Sequence, residues 1–368
     1  MSITYGLSIL LMLSTFCCFC WLIFGYFIRR ERTHVSEDMP EIEVLLPCHN
    51  EEKYVNELFI ALEHLQWKGS NLRFCAIDDR SSDQTKELLA TFVWRDLKNR
   101  RLLAIHPSEA IPYASPKKNA LEQAIFSSKA EWVVTLDADS RPQSDWLLEM
   151  FAGWEKNWIA IVPSYTFSGG LGLGSKIRKL EALVQSFLMR SAIRNKHPLS
   201  AIGAGFAYQV AAFHQVGGYR GTIGERISGD DDLLLHRLAK LPGRIVSKNG
   251  RASMAVLDRE TGSYWRARGR HYSVAPDYPF FWKLFGVLAI PGIMIAPMFL
   301  FLDAFVFQRW YAAGVAVLLL LLEVNVLSKV AKTTNGQMIW WYPFFLFFGF
   351  PFWLLGIVWS TVRRKPGW

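Results

Sequence analysis

Residues 72–85 read LRFCAIDDRSSDQT, and residues 132–142 read WVVTLDADSRP. Each opens with a short apolar run, Leu72 to Ile77 and Trp132 to Leu136, and passes straight into carboxylates, Asp78-Asp79 and Asp137-Ala138-Asp139. Apolar runs of this length read as buried strands. Carboxylates just past strand C-termini lie where open α/β sheets bind ligands. A third cluster, Asp230-Asp231-Asp232, precedes a helical pattern from Leu233 to Lys240. In an extended chain, the D-x-D spacing sends Asp137 and Asp139 to the same side. Clustered carboxylates repel unless a cation sits between them, usually a hard divalent ion that also binds phosphate oxygens. The constellation points to a metal-dependent enzyme acting on a nucleotide diphosphate.

The flanking sequence fits an α/β sheet. Ile42 to Leu46 reads as a strand that ends in Pro47-Cys48-His49-Asn50-Glu51-Glu52, and a helix carrying Leu58, Ile60, Leu62 and Leu65 follows. Ser81, Ser82 and Asp83 are N-cap candidates for the next helix. Leu102 to Ile105 reads as a third strand, and a helix from about Lys117 to Ser128 precedes Trp132 to Leu136. This order implies a Rossmann-like, mostly parallel sheet with helices on both faces. Residues 163–200 show no strand alternation; a helix there carries Leu180, Leu183, Val184 and Leu188. The small residues of Ala201 to Tyr208 suggest backbone packed close to a ligand or another element. Neither a G-x-G-x-x-G after the first strand nor a G-x-x-x-x-G-K-[ST] is present, so NAD-type and P-loop readings fall away.

The 368 residues are 51% hydrophobic, and the apolar excess lies at the two ends. Residues 4–28 are uncharged over a length that can cross a bilayer, and Arg29, Arg30 and Arg32 follow. The expected organisation is a retained transmembrane anchor at 1–28, a basic juxtamembrane linker at 29–40, a cytoplasmic catalytic domain at 41–275 and a C-terminal membrane region at 276–368. That last region holds apolar segments at about 284–306, 310–328 and 338–360, with Trp310, Trp340, Trp341 and Trp359 near their ends. Three spans would leave Arg363, Arg364 and Lys365 outside, against the positive-inside rule. Pro291 and Pro297, or Pro343 and Pro351, mark segments that would instead be re-entrant, so two or three spans are expected. The localisation expected is integral to the plasma (inner) membrane. The net charge of +9 fits basic residues beside anionic headgroups, and no nucleic-acid-binding motif accompanies it. Five cysteines show no metal-ligand spacing.

Taken together and in order, these residues resemble membrane-anchored, inverting family 2 glycosyltransferases of the GT-A fold, over about residues 40–275. Pro47, His49, Asn50 and Glu51 look like the family's strand-end loop beneath the nucleotide. Asp78-Asp79 with Ser81, Ser82 and Asp83 resembles its D-D-x-S-x-D loop, which holds uridine. Lys117 and Lys118, in Lys117-Lys118-Asn119-Ala120-Leu121, resemble its K-x-x-A-L segment near the donor. Asp137-Ala138-Asp139 is similar to the D-x-D, with Asp139 and Asp137 as metal ligands for Mn2+ or Mg2+ and Asp137 also beside the donor. Asp230-Asp231 with Leu234 and Arg237 looks like E-D-x-x-L-x-x-R, whose second acid is the catalytic base. The first acid is here Asp230, a mild departure. Processive members carry Q-x-x-R-W. Here Arg270 fits its arginine, but Ala267 and His271 replace the glutamine and the tryptophan.

The resemblance implies a division of labour. Asp231 takes the acceptor hydroxyl proton, with Asp230 beside it. Asp79 accepts from the uracil N–H. Arg268 and Arg270 are candidates to meet the diphosphate, since guanidinium forks match phosphate. The expected partners are a nucleotide-sugar donor, UDP-linked, a lipid or lipid-linked acceptor, and the membrane. A processive polysaccharide synthase and a non-catalytic membrane partner that keeps the fold are the alternatives. Each motif alone has a plainer reading. The aspartate pairs suit helix N-termini, and Lys117-Lys118 suits a solvated surface.

Overall fold

The structure is a computed structural model. It describes residues 16–27, 39–68, 72–106, 112–170, 172–258, 269–271, 273–308, 310–334 and 342; for residues 287–299, 311 and 334 it describes the backbone alone. The chain divides into two compact units.

The α/β unit spans residues 30–169 and 196–258. Strands β1 (Ile42–Cys48), β2 (Leu72–Asp78), β3 (Arg100–Ala104) and β4 (Trp132–Thr135) alternate with helices α2 (Val55–Glu63), α3 (Thr85–Trp94) and α4 (Pro116–Phe126). All four strands are parallel, in the order β3-β2-β1-β4. β1 is buried along its length, as a central strand covered on both faces must be. Its proline is tolerated because pairing with β4 ends at Leu45↔Thr135, two residues before Pro47. The core behind β4 centres on Trp132, Trp146 and Phe151, all fully buried, with the Trp132 and Phe151 rings edge-on at 5.4 Å. Each such side chain contributes about 1.5–3 kcal/mol of burial.

Beyond β4 the sheet departs from the parallel pattern. β8 (Ala207–Gln209) inserts antiparallel between β4 and β6 (Trp158–Pro163), and β9 (Arg244–Lys248) closes the edge. A separate sheet pairs β5 (Ser140–Arg141), β10 (Met254–Leu257) and β7 (Tyr165–Ser168). β7 corrects the strand-free reading of 163–200. The third strand runs Arg100–Ala104, two residues earlier at its start than expected. Gln84 occupies the N-cap of α3, and Asp83 Oδ1 accepts from Thr85 N instead of capping as expected. Short helices α5 (Trp146–Phe151), α7 (Val210–Gln215), α8 (Thr222–Glu225) and α9 (Asp232–Leu238) complete the unit.

The helical unit takes residues 1–29, 170–195 and 259–368. It contains α1 (Phe16–Phe27), α6 (Leu173–Arg194), α10 (Phe280–Phe307) and α11 (Trp310–Thr334). α10 and α11 form a hairpin turned by Gln308 in the left-handed region (φ 55°). Ala304, Ala312 and Ala316 are buried where the two helices meet, because small residues let helix backbones approach closely. Among the described residues, Ala312–Thr333 is the one stretch long and apolar enough to cross a membrane; α1 is shorter. Of the transmembrane helices expected at the two termini, one candidate span lies among the described residues. Residues 1–15 of the expected anchor, and the 338–360 segment apart from Tyr342, lie outside the described residues.

Candidate active site

The first two acidic motifs lie at the C-terminal edge of the sheet, on either side of β1. Register pairs Cys48 with Asp78, so the loops after β1 and β2 leave the sheet side by side. They interlock through their own polar groups. Asn50 Oδ1 accepts from Ser82 N (2.8 Å), and Asn50 N donates to Ser81 Oγ (3.1 Å). Glu51 N donates to Thr85 Oγ1 (2.8 Å), and Glu52 N to Asp83 Oδ2 (3.3 Å). His49 Nδ1 lies 2.6 Å from the Asp79 carbonyl. Both turns need left-handed residues, Asn50 at φ 55° and Arg80 at φ 58°, and asparagine tolerates this best after glycine. Asp78 Oδ1 accepts from Ser81 N (3.2 Å). Asp79 Oδ1 is held by Arg80 Nη2 at 2.7 Å, whereas Asp79 Oδ2 is buried with no hydrogen-bond partner among the described residues. A buried acceptor without a donor is costly, about 1–3 kcal/mol, and marks a place for a ligand N–H.

The third motif joins the second through Lys117, in the first turn of α4. Its ammonium lies 2.9 Å from Asp137 Oδ1 and 3.2 Å from Asp230 Oδ2. Burial opposes this charge, but Asp137 and then Asp230 overcome it and hold Lys117 above the ordinary lysine range. Burial likewise pushes Asp230 up, and Lys117 and then Lys118 outweigh it, so this carboxyl falls below its ordinary range. Asp231 behaves oppositely. Burial, then the charges of Asp232 and Asp230, push its carboxyl well above the carboxylate range. Its oxygens are aimed by backbone: Gly203 N donates to Oδ2 (3.0 Å) and Asp232 N to Oδ1 (2.8 Å). Gly203 lies close against the charged pair; a Cβ there would stand 3.2 Å from both Asp137 Oδ2 and Lys117 Nζ.

Four side chains take places that sequence reasoning did not give them. Asp137 and Asp139 lie on a turn closed by Ser140 N to Asp137 O (2.9 Å), not in an extended strand, so strand alternation does not set their directions. Lys118 is fully buried, and its ammonium donates to the carbonyls of Ile223, Arg226 and Ser228 at 2.6, 2.6 and 2.7 Å. All three of its N–H bonds are used, so it holds the loop before Asp230 and has none left for a donor. Successive helix residues point about 100° apart, so Lys117 and Lys118 cannot share a target. Asp232 is fully buried and accepts from Ser200 Oγ (2.6 Å) and Ala201 N (3.0 Å), tying α9 to the loop that carries Gly203. An aspartate behind an acidic pair was the one available signal for it. Arg268 lies outside the described residues, and Arg270 belongs to the helical unit.

Among the described residues no three His, Cys, Asp or Glu side chains gather into a ready-made metal cage. Asp137 and Asp139 are partly exposed hard oxygen donors on one short turn. Such a pair suits Mg2+ or Mn2+ that completes its shell with diphosphate oxygens and water.

The family model for Glycosyl transferase family 2 matches residues 43–217. The Bacillus subtilis (strain 168) protein named Probable glycosyltransferase YdaM is 20% identical, with 92% of this chain and 86% of that protein aligned. The beta-monoglucosyldiacylglycerol synthase of Trichormus variabilis is 24% identical over 36% of this chain and 28% of its own length. Among solved structures, the mannosyltransferase PcManGT from Pyrobaculum calidifontis, in complex with GDP-Man and Mn2+, superposes with a TM-score of 0.60 at 14% identity, covering 98% of this chain and 99% of that one. At that identity the likeness speaks for the fold, which is GT-A-like. Residues 43–217 thus match the glycosyl transferase family 2 model, and the protein is a glycosyltransferase.

Proposed function

We propose that the protein is a membrane-bound inverting transferase that moves one sugar from a UDP-linked donor to a lipid or lipid-borne acceptor at the cytoplasmic face of the plasma (inner) membrane. The observation that carries this reading is Asp231. It is a half-buried carboxyl of raised pKa, aimed by Gly203 N–H, beside the Lys117 bridge between Asp137 and Asp230. A base whose pKa is lifted toward neutrality is matched to taking a proton from a hydroxyl, an effect of about 10²–10⁴-fold in rate.

Asp231 removes the proton of the acceptor hydroxyl as its oxygen bonds to the anomeric carbon. The bond from that carbon to the diphosphate breaks, and the nucleoside diphosphate leaves with the electron pair. Attack from the face opposite the leaving group inverts the centre. Lys117 offers a cation near the departing charge. Asp139 and Asp137 would hold a divalent ion, which supplies Lewis-acid stabilisation to the leaving diphosphate; PcManGT with Mn2+ supports that assignment. The unpartnered Asp79 Oδ2 supports uridine, because the uracil N–H is a donor that would satisfy it. His49 and Asn50, with the Pro47–Glu51 loop, would floor the nucleotide. The candidate span Ala312–Thr333, and a relative named for a diacylglycerol product, support a lipid acceptor.

The test uses membranes containing the protein or its Asp231→Asn variant, incubated with radiolabelled UDP- and GDP-sugars and Mn2+ or Mg2+. Label in extractable lipid, from a UDP-sugar, made by the wild type alone, is the expected result. Label in a non-extractable polymer would replace this reading with the processive one. Label from GDP-sugars alone would overturn the uridine assignment.

A further inference from the structure

The helical unit contains a buried acidic side chain near the middle of an apolar helix that the transfer chemistry does not use. Glu323 sits near the middle of α11, inside the Ala312–Thr333 stretch, and is 5% exposed. The Tyr342 hydroxyl bonds its carboxyl group, yet Oε2 is buried with no hydrogen-bond partner among the described residues. Glu323 faces a cavity of about 530 Å³, open mouth included. Leu22 of α1, Phe187 of α6, Phe285 of α10 and Leu327 of α11 help to line it, and no basic residue does so among the described residues.

A carboxyl in an apolar wall is expensive, and one within a membrane-spanning helix marks a functional site unless it has a full set of partners. The wall asks for hydrocarbon. The unpartnered oxygen asks for a donor, and the absence of a cation in the lining turns away a phosphate. α6 adds a boundary. It turns Val184, Phe187 and Leu188 toward the cavity, while Arg194 donates to the Tyr26 carbonyl at 2.5 Å and Arg190 lies 5.5 Å from the Tyr26 ring. The apolar wall of the cavity thus gives way to arginines toward the C-terminal end of α6.

We propose that this cavity binds a neutral lipid, with its hydrocarbon body against Leu22, Phe187, Phe285 and Leu327 and a lipid hydroxyl donating to Glu323. The inference rests on the membrane placement proposed above and is independent of which lipid receives the sugar.

The test uses the full chain in phosphatidylcholine nanodiscs with two photoreactive probes, a diacylglycerol and a phosphatidic acid of the same chains. The diacylglycerol is expected to label the wild type at the cavity residues, and the phosphatidic acid at least severalfold less. Glu323→Leu removes the acceptor and is expected to cut diacylglycerol labelling about tenfold, as loss of one hydrogen bond does. Glu323→Gln, which keeps an acceptor oxygen, is expected to restore most of it. Leu327→Trp fills the cavity and is expected to block both probes. Leucine in an apolar wall is well tolerated, so Glu323→Leu is expected to unfold no more readily than the wild type. Equal labelling of wild type and Glu323→Leu, or by both probes, overturns the site. Protein stripped from vesicles by alkaline carbonate overturns the membrane placement, and the inference with it. Protein retained there while labelling ignores all three variants sinks the cavity alone.

Discussion

Two loop clusters stand at the C-terminal edge of the same sheet and are held in opposite ways. The loops after β1 and β2 lock each other with backbone-to-side-chain bonds through Asn50, Glu51, Ser81, Asp83 and Thr85. The acids beyond β4 and before α9 are held by one ammonium, that of Lys117, between Asp137 and Asp230. The first arrangement is a fixed template that leaves one oxygen, Asp79 Oδ2, for a ligand. The second is a charge balance, and any other cation entering it competes with the lysine. A nucleotide would therefore meet a surface already formed, and its phosphates a surface that re-partners as they arrive.

The sharpest way to break the second cluster is Asp231→Asn. Removing the base is expected to lower kcat by about 10²–10⁴-fold with donor affinity within a factor of three, read by turnover and donor calorimetry. In the wild type, the acid limb of kcat/KM is expected well above the pH at which a free aspartate titrates. A general base must be ionised, and burial with Asp232 and Asp230 has raised its pKa. An acid limb at the ordinary carboxylate position would exclude Asp231 from the role.

Lys117→Met is expected to come next. It leaves Asp137 and Asp230 facing each other without a counter-ion, and kcat is expected to fall at least about tenfold as one partner of a charge pair is lost. Raised Mn2+ is expected to recover part of the activity, because a divalent ion can take over the neutralisation. An activity loss indifferent to metal concentration would show that the lysine is no part of the charge balance.

Lys118→Met addresses the loop rather than its acids. In the wild type, burial and then the Lys117 charge pull the Lys118 ammonium down to about 8 from the ordinary 10.5, against Asp230 and Asp231. The unfolded chain thus binds the proton more tightly than the fold does. This cost is fully present below pH 8 and fades as pH rises from about 8 to 10.5, so stability is expected to climb over that window. The climb, on the order of 3 kcal/mol at most, should be missing from Lys118→Met in denaturant titrations at pH 8 and 10. Parallel curves would mean that the ammonium is not held as described.

The smallest change is expected in the template. Asn50→Ala removes the acceptor for Ser82 N and places alanine at a left-handed φ, costing about 1 kcal/mol. Donor KM should rise severalfold with kcat preserved. A fall in kcat without a KM change would place the loop with the reacting groups instead.

The strand-end half of this site was open to reading because it is local. β1, β2 and β4 are short apolar runs, and the acids follow them directly, so periodicity alone put Asp78, Asp79 and Asp137 on one edge. What escaped reading depends on distant partners. β8 is three residues long and pairs antiparallel with strands on either side, which nothing in Ala207–Gln209 announces. Lys118 reads as half of a surface pair until the carbonyls of Ile223, Arg226 and Ser228 close around it from more than 100 residues away. Glu323 reads as a blemish in an apolar helix until helices from four parts of the chain form its cavity.

Gly203 gives the enzyme a silent position. It carries no charge and its side chain is a hydrogen, yet a single methyl at that point would press on the Asp137 carboxylate and the Lys117 ammonium together, each 3.2 Å away. Both are the mobile ends of side chains, so they can yield a few tenths of an ångström while the fold stays intact. Alanine at 203 would therefore make a decoy: folded, with every acid and lysine present, and mistuned where those charges meet.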